Sequence, residues 1–262
     1  MASEQFRSRK THLSDEATGE NLHEFRRSES VHFSYQLIGK GQSLVILDAG
    51  YRGSAVDWDT VSRQVTSFAR VLVIDRTQLS GKSRSTPKVT IRDAAEDIED
   101  LVADAGASEP LVLAGWGSGA LVLQALASRN VDRISGMVLI DPSPRALLDP
   151  STRHRLVALR QNEHPHPVLR DELCVYGADH HAESQIFALP DILELPVTVI
   201  MPGIPPESDD VLGLHWLDLQ QSEVRRFHQV REIIAGRSRT AIPRERPDVV
   251  VDAIQHYCLL DG

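Results

Sequence analysis

The chain is predicted to fold as an α/β domain with a mainly parallel central sheet flanked by helices. Helical stretches separate its apolar runs, and IRDAAEDIEDLVADAG and RPDVVVDAIQHYC each place their apolar residues on one helix face. Alternating strands and helices predict a parallel sheet. Six short runs, rich in β-branched residues, are typical of strands covered on both faces: SLVILDAG, RVLVID, PLVLAG, GMVLID, PVTVIMPG and REIIAG.

The polar N-terminus differs from the rest of the chain. Residues 1–30 have no apolar core of the kind found in a secretory signal, and we expect a poorly ordered extension with at most one helical turn. The following stretch, SVHFSYQLIG, alternates apolar and polar residues with period two, which predicts a half-buried strand. The folded domain is therefore predicted to span residues 31–262.

A long polar excursion interrupts the strand–helix rhythm. Residues 142–190 are irregular and punctuated by proline. An excursion of this length between two core strands predicts a cap inserted at one edge of the sheet. Because ligands of α/β sheets bind beyond the carboxyl ends of the strands, such a cap would cover a ligand site.

Composition restricts the class of protein and its partners. The 262 residues are 41% hydrophobic and 25% charged, as in a single soluble domain. The net charge of −9 disfavours nucleic acid and anionic membranes as partners, and no apolar run approaches the roughly 20 residues of a membrane span. Two cysteines do not make a disulfide framework, so a cytoplasmic location is expected. The expected partner is a small molecule, and a homodimer is a further possibility. No cofactor or metal is predicted.

One segment, LVLAGWGSGALVLQALA, has the pattern of a buried strand, a sharp glycine turn and the start of a helix. Gly117 lies at the middle of the turn. In many enzymes a turn of this kind presents a nucleophile. Glycine has no side chain that can attack a substrate.

Five segments together resemble the α/β-hydrolase superfamily, and in particular a bacterial esterase-like group. They occur in the family's order and cover most of residues 31–258. The resemblance implies the α/β-hydrolase fold with a cap insertion at residues 142–190. The matching segments are VILDAGYRGSAVDW (45–58), VIDRTQLSGKS (73–83), LVLAGWGSGA (111–120), MVLIDPSP (137–144) and SRTAIPRERPDVVVDAI (238–254).

The resemblance also locates the family's catalytic positions, and two of them are substituted. The nucleophile elbow Gly-x-Ser-x-Gly aligns with residues 115–119, so Gly117 stands where the serine would be. The family's histidine lies seven residues before the proline that opens the last helix. That proline is Pro247, so the histidine position is Thr240, whose hydroxyl is no base near neutral pH.

The acid of the family has more than one match. Asp141 follows the strand GMVLI, where the group often carries an aspartate. Glu207, Asp209 and Asp210 occupy the other usual location. Both alternatives remain open at this stage.

The remaining features of the site imply a binding pocket. The backbone N–H groups of Ser118 and Tyr51 would form the family's oxyanion hole. Tyr51 and Trp116 would supply flat apolar walls, and Arg239 a counter-charge. Gly117, Thr240 and the cap residue His181 complete the predicted ligand contacts.

The sequence offers two other places for catalytic chemistry. Ser118 lies one residue beyond the elbow position, but a one-residue shift turns its side chain by roughly 100° about the helix axis. Several cap residues are of types that ligate zinc, yet their spacing matches no recognised site, so no metal is predicted. These residues are Glu163, His164, His166, Asp179, His180, His181 and Glu183.

The sequence thus predicts an α/β-hydrolase-fold protein that lacks the Ser–His pair. It would bind a small apolar ligand bearing a carbonyl or carboxylate at the oxyanion hole. It would be either a non-hydrolytic enzyme (a cyclase, lyase or isomerase, as in relatives from secondary metabolism) or a binding pseudoenzyme. The alternatives are an esterase or amidase with a relocated nucleophile, and a structural or dimerisation role with a filled pocket.

Overall fold

One mixed sheet forms the centre of the molecule in the computed structural model, which describes residues 12–14, 21–27, 30–50, 53–76, 90–145, 194–204 and 211–260. Nine strands within these ranges form the sheet, in the order β1-β2-β3-β5-β4-β6-β7-β8-β9. The strands are β1 (His12–Ser14), β2 (Asn21–Arg27), β3 (Ser30–Gly39), β4 (Leu44–Asp48), β5 (Arg70–Asp75), β6 (Leu111–Trp116), β7 (Ile134–Ile140), β8 (Pro196–Pro202) and β9 (Gln229–Ala235).

The strand order reverses at the centre of the sheet. The pairings β1–β2, β2–β3 and β3–β5 are antiparallel. The pairings β5–β4, β4–β6, β6–β7, β7–β8 and β8–β9 are parallel. Strand β4 lies between β5 and β6, so successive crossovers leave it in opposite directions. The carboxyl ends of β4 and β6 therefore flank a topological switch point, where α/β folds bind ligands. The predicted fold class is confirmed.

Helices cover both faces of the sheet. They are α1 (Asp59–Val65), α2 (Ile91–Asp104), α3 (Gly119–Arg129), α4 (Val211–Val224), α5 (Ile242–Glu245) and α6 (Pro247–Cys258). Helices α2 and α3 and the end of α4 share one apolar core with alternate residues of the strands. Helices α1, α5 and α6 share the other core. Alternation along β4 shows this division, because Leu44 and Ile46 pack in the first core and Val45 and Leu47 in the second.

The N-terminal segment differs from the prediction for residues 1–30. Strands β1 and β2 pair with each other, and β2 pairs with β3, so residues 12–14 and 21–27 extend the sheet. Backbone pairing at a sheet edge needs no apolar face, and polar residues are tolerated there. The His23 ring packs against Tyr35 of β3, with 5.2 Å between ring centroids. The predicted boundary at residue 31 therefore falls inside the sheet.

The run REIIAG was expected to be covered on both faces, and for this run the prediction was wrong. It forms most of β9, which is an edge strand, and Ile234 is 64% exposed. Two charged residues, Arg231 and Glu232, are also exposed on it. Charges on an edge strand oppose pairing with a further strand.

No helix in the described ranges is long and apolar enough to cross a membrane. Of the predicted cap, residues 142–145 are described and the remainder lies outside the described residues.

Candidate functional site

The turn between β6 and α3 has Gly117 at its apex, the position that aligns with the family's nucleophile. Gly117 has a φ of 57°, in the left-handed region that side-chain-bearing residues rarely adopt. Its N–H donates to the Ile140 carbonyl (3.0 Å), and its carbonyl accepts from the N–H groups of Ser143 (3.1 Å) and Ala120 (3.2 Å). The turn is thus tied both to β7 and to the loop that follows it.

Ser118 starts the helix. It is the N-cap of α3, has right-handed helical dihedrals and is 4% exposed. A methyl group added at Gly50 would lie 2.3 Å from the Ser118 hydroxyl oxygen, and one at Gly119 would lie 2.1 Å from the Asp48 carbonyl oxygen. The loop after β4 therefore lies directly against the first turn of α3, and only glycine fits at both contacts. This approach buries the Ser118 side chain.

A buried ion pair holds the start of that loop. The Arg76 guanidinium, at the end of β5, donates from Nη2 to Asp48 Oδ2 (2.8 Å) and from Nε to both Asp48 oxygens (3.2 Å). The two side chains are 3% and 0% exposed. Asp48 also accepts from the Gly50 N–H (2.8 Å), and Arg76 lies over the Phe33 ring. The pair fixes the backbone where β4 leaves the sheet.

A second carboxylate holds the far end of the loop. Asp75 accepts from the Ala55 N–H (2.8 Å) and from the Ser54 hydroxyl (3.3 Å). The Arg76 N–H donates to the Gly53 carbonyl (2.9 Å). The segment that contains Tyr51 is therefore anchored on both sides. Tyr51 itself lies outside the described residues.

Asp141 lies at the same edge of the sheet as Gly117. It follows β7, is 6% exposed and has a φ of 40°. Its Oδ1 accepts from Gln220 Nε2 of α4 (2.7 Å), and the same nitrogen donates to the Pro142 carbonyl (3.1 Å). Burial raises the pKa of Asp141 to about 6, and the hydrogen bond from Gln220 offsets part of that rise.

Glu223, one turn after Gln220, ties α4 to the loop after β7. Its carboxylate is nearly buried, accepts from the Arg145 N–H (3.0 Å) and pairs with Arg226 (2.7 Å). Burial and the nearby Arg226 lower the pKa of Arg145. Gln220 and Glu223 together fix the segment from which residues 146–193, outside the described ranges, continue.

The loop between β9 and α5 carries the position that resembles the family's histidine. Thr240 is partly buried there, after Ser238, whose hydroxyl donates to the Ala235 carbonyl (2.7 Å). The Arg239 N–H donates to Glu245 (2.6 Å), and the residue is exposed. The Ile204 N–H donates to the Ser238 carbonyl (2.9 Å), which joins this loop to the end of β8.

The structure describes only part of the predicted site. It places Gly117, Ser118 and Asp141 together, while Trp116 is half-buried and packs against the core beneath α1 and α6. His181, the alternative acids Glu207, Asp209 and Asp210, and the cap histidines lie outside the described residues. Among described residues, no three side chains of His, Cys, Asp or Glu are grouped as metal ligands are.

Asp48, Arg76 and Gln220 are among the site residues that sequence patterns did not identify. Asp48 ends β4 and Arg76 directly follows its parallel neighbour β5, so strand ends were a usable signal for their pairing. Gln220 has no such signal, since nothing in LDLQQSEV distinguishes it from Gln221. Only the docking of α4 shows that it reaches Asp141.

Residues 44–253 match the model of the alpha/beta hydrolase family, and the chain belongs to this family. The uncharacterized protein YqjL of Bacillus subtilis (strain 168) is 26% identical over 106 residues, which are 40% of this chain and 42% of that protein. The chain therefore matches less than half the length of this curated relative.

Solved structures share the fold at low identity. A thermophilic esterase from Thermogutta terrifontis superposes with a TM-score of 0.57 at 18% identity, covering 97% of this chain and 99% of that one. A putative epoxide hydrolase from Pseudomonas aeruginosa superposes with a TM-score of 0.60 at 15% identity, covering 93% and 97%. Likeness at this level establishes the fold.

Proposed function

We propose that this protein binds a small apolar molecule bearing a carbonyl or carboxylate at the Gly117 turn and does not hydrolyse it. The supporting observation is that Gly117 occupies the apex of the elbow with a φ of 57°. This observation supports the proposal because the residue at the apex of the strand-to-helix turn has no side chain that could attack a substrate. Thr240, in the loop after β9, supplies no base near neutral pH.

The bound oxygen would lie against the start of α3. The first-turn N–H groups of a helix have no partner within the helix, and they carry the positive end of its dipole. The N–H of Ser118 is one donor of the proposed anion hole, and the N–H of Tyr51 is the other. The hydrogen bonds to the Asp48 and Asp75 carboxylates support this role, because they fix both ends of the loop that carries Tyr51. Trp116, Arg239, Thr240 and His181 remain proposed contacts to the rest of the ligand.

A relocated nucleophile at Ser118 fits the geometry less well. Its hydroxyl lies against the backbone at Gly50, in a residue that is 4% exposed. A nucleophile has to reach a substrate and a base within hydrogen-bond distance. The loop that approaches α3 covers this hydroxyl instead.

Two uses of such a pocket fit the proposal. A non-hydrolytic enzyme would convert its ligand while the anion hole stabilises developing charge. A binding protein would release it unchanged. Chromatography of the ligand after incubation distinguishes them, because only the enzyme yields a new compound.

The substitution Gly117→Ser is expected to leave ester hydrolysis at the wild-type background. The new hydroxyl would occupy the elbow, but the histidine position holds Thr240, which cannot accept its proton near neutral pH. Release of p-nitrophenolate from p-nitrophenyl acetate and butyrate measures the rate. Gly106→Ser is the matched control, because Gly106 also has a positive φ (61°) and nothing lies within 4 Å of an added methyl group. A rise of about a hundredfold for Gly117→Ser, the size of a positioned base's contribution, would contradict the proposal.

A further inference from the structure

Asp141 and Gly117 are neighbours across two parallel strands. Trp116 of β6 pairs with Ile140 of β7, so the residues that follow them, Gly117 and Asp141, leave the sheet side by side. Two hydrogen bonds, from Gly117 to Ile140 and from Ser143 to Gly117, join the two segments. The backbone of Asp141 thus lies next to the turn that precedes α3.

The carboxyl group is satisfied on one side only. Gln220 donates to Oδ1, and no described residue donates to Oδ2. Gln220 is fully buried, and its own Oε1 has no hydrogen-bond partner among described residues. Buried polar atoms are normally paired, so the unsatisfied Gln220 Oε1 beside Asp141 indicates a place where another molecule's donor belongs.

The backbone at Asp141 supports the same conclusion. Its φ of 40° lies in the left-handed region, which residues with a side chain adopt only occasionally. Strained residues of this kind concentrate at functional sites.

The charged groups near Asp141 form ion pairs with one another. Glu223 of α4 pairs with Arg226, which follows α4, and with Arg145 of the loop that carries Asp141. The described parts of β6, α3 and β8 bring no charged side chain to this edge. Burial and the Gln220 amide therefore set the protonation of Asp141, without a counter-ion.

We propose that Asp141 is the general base and acid for proton transfer at the carbon next to the ligand's carbonyl, with Gln220 as its positioning residue. This inference rests on the proposed function and makes the protein an enzyme of the isomerase or enolising type. Its substrates would be apolar ketones with a C–H bond adjacent to the carbonyl.

The step balances without a cofactor. Asp141 Oδ2 takes the proton from the α-carbon, and the C–H electron pair forms the carbon–carbon double bond of an enolate. The carbonyl π pair moves to oxygen, where N–H groups at the start of α3 stabilise the negative charge. The same carboxylic acid then returns the proton to the α-carbon or to a conjugated carbon. Protonated Asp141 has no partner on Oδ2 among described residues, so the proton is placed to be transferred.

Hydrogen–deuterium exchange tests the inference. Cyclohexanone, β-tetralone and acetophenone are incubated with the protein in D₂O, and proton NMR follows loss of the α-proton signals. We expect wild type to accelerate exchange of at least one ketone, and Asp141→Asn to lower that rate by about a hundredfold. Asp132→Asn makes the same change at an exposed carboxylate after α3 and is expected to exchange like wild type.

The pH profile separates proton transfer from a structural role. The base form of Asp141 is required, so the exchange rate should rise with pH through a midpoint near 6. The Gln220 hydrogen bond lowers the pKa of Asp141, so Gln220→Leu should move the midpoint upward. A purely structural Gln220 would lower the rate without moving the midpoint, and that result would overturn its positioning role.

Binding of the same ketones, measured by saturation-transfer NMR, distinguishes two failures. Ketones that bind wild type without accelerated exchange would overturn the role of Asp141 and leave the proposed function standing. Exchange that persists in a folded Asp141→Asn variant would also overturn that role. If wild type binds none of the three ketones, the proposed function fails, and the inference fails with it.

Discussion

Replacing Arg76 by methionine is expected to lower the free energy of unfolding by roughly 3–5 kcal/mol. The guanidinium and its partner Asp48 are 3% and 0% exposed, so the substitution leaves a carboxylate buried without its counter-charge. Removal of one member of a buried pair is costly for this reason, although methionine retains most of the apolar contact. The loss should appear as a lower midpoint in urea unfolding.

Two further variants show whether charge is the cause. The double variant Asp48→Asn/Arg76→Met buries neither charge and retains an oxygen for the Gly50 N–H, so it should recover part of the lost stability. Arg129→Met removes an arginine from a partly exposed cluster with Glu96 and Glu99, and the expected loss in the free energy of unfolding is about 0–1 kcal/mol. Equal costs for Arg76→Met and Arg129→Met would contradict the role assigned to the buried pair.

Asp141→Asn is expected to stabilise the protein by roughly 3 kcal/mol above pH 7. Burial raises the pKa of Asp141 from 3.8 to about 6, a change of about two units at about 1.4 kcal/mol each. The neutral form is therefore favoured in the folded state. The neutral carboxyl of Asp141 makes its full contribution to the free energy of unfolding below pH about 4, and this contribution is lost as the pH rises through about 6. Asparagine is neutral at every pH, so the difference in free energy of unfolding between Asp141→Asn and wild type should vanish towards pH 4.

Urea unfolding at several pH values measures this difference. Asp132→Asn, at an exposed position, should change stability little at any pH. Asp141→Asn that is less stable than wild type at pH 8 would contradict the burial of an uncompensated carboxylate. A residue that lowers stability is typical of a functional site, since activity and stability are often opposed there.

Most of the fold follows from local patterns in the sequence. The apolar runs that form β4 to β8 are long enough and β-branched enough to identify buried parallel strands without knowledge of their neighbours. The run at β9 has the same composition, and only its place at the edge leaves Ile234 exposed. Strands β1 and β2 were missed because their pairing is a property of the backbone and of β3.

The parts of the site that lie close together in the sequence can be predicted from it. The strand, glycine turn and helix around Gly117 are contiguous, so the sequence places the elbow. Asp141 follows a recognisable strand, so its edge of the sheet was also predictable. Contacts such as Gln220 with Asp141 join residues 79 positions apart, and no local pattern specifies them. Their geometry depends on how α4 docks after the intervening segment.

The elbow is proposed to carry no activated serine. Fluorophosphonate labelling of the purified protein, read by intact and peptide mass spectrometry beside an active esterase, tests this directly. We expect a labelled esterase and no adduct on this protein, because Gly117 has no hydroxyl and the Ser118 side chain is buried against Gly50. A phosphonate adduct on Ser118 would contradict the proposed function and place the protein among the serine hydrolases.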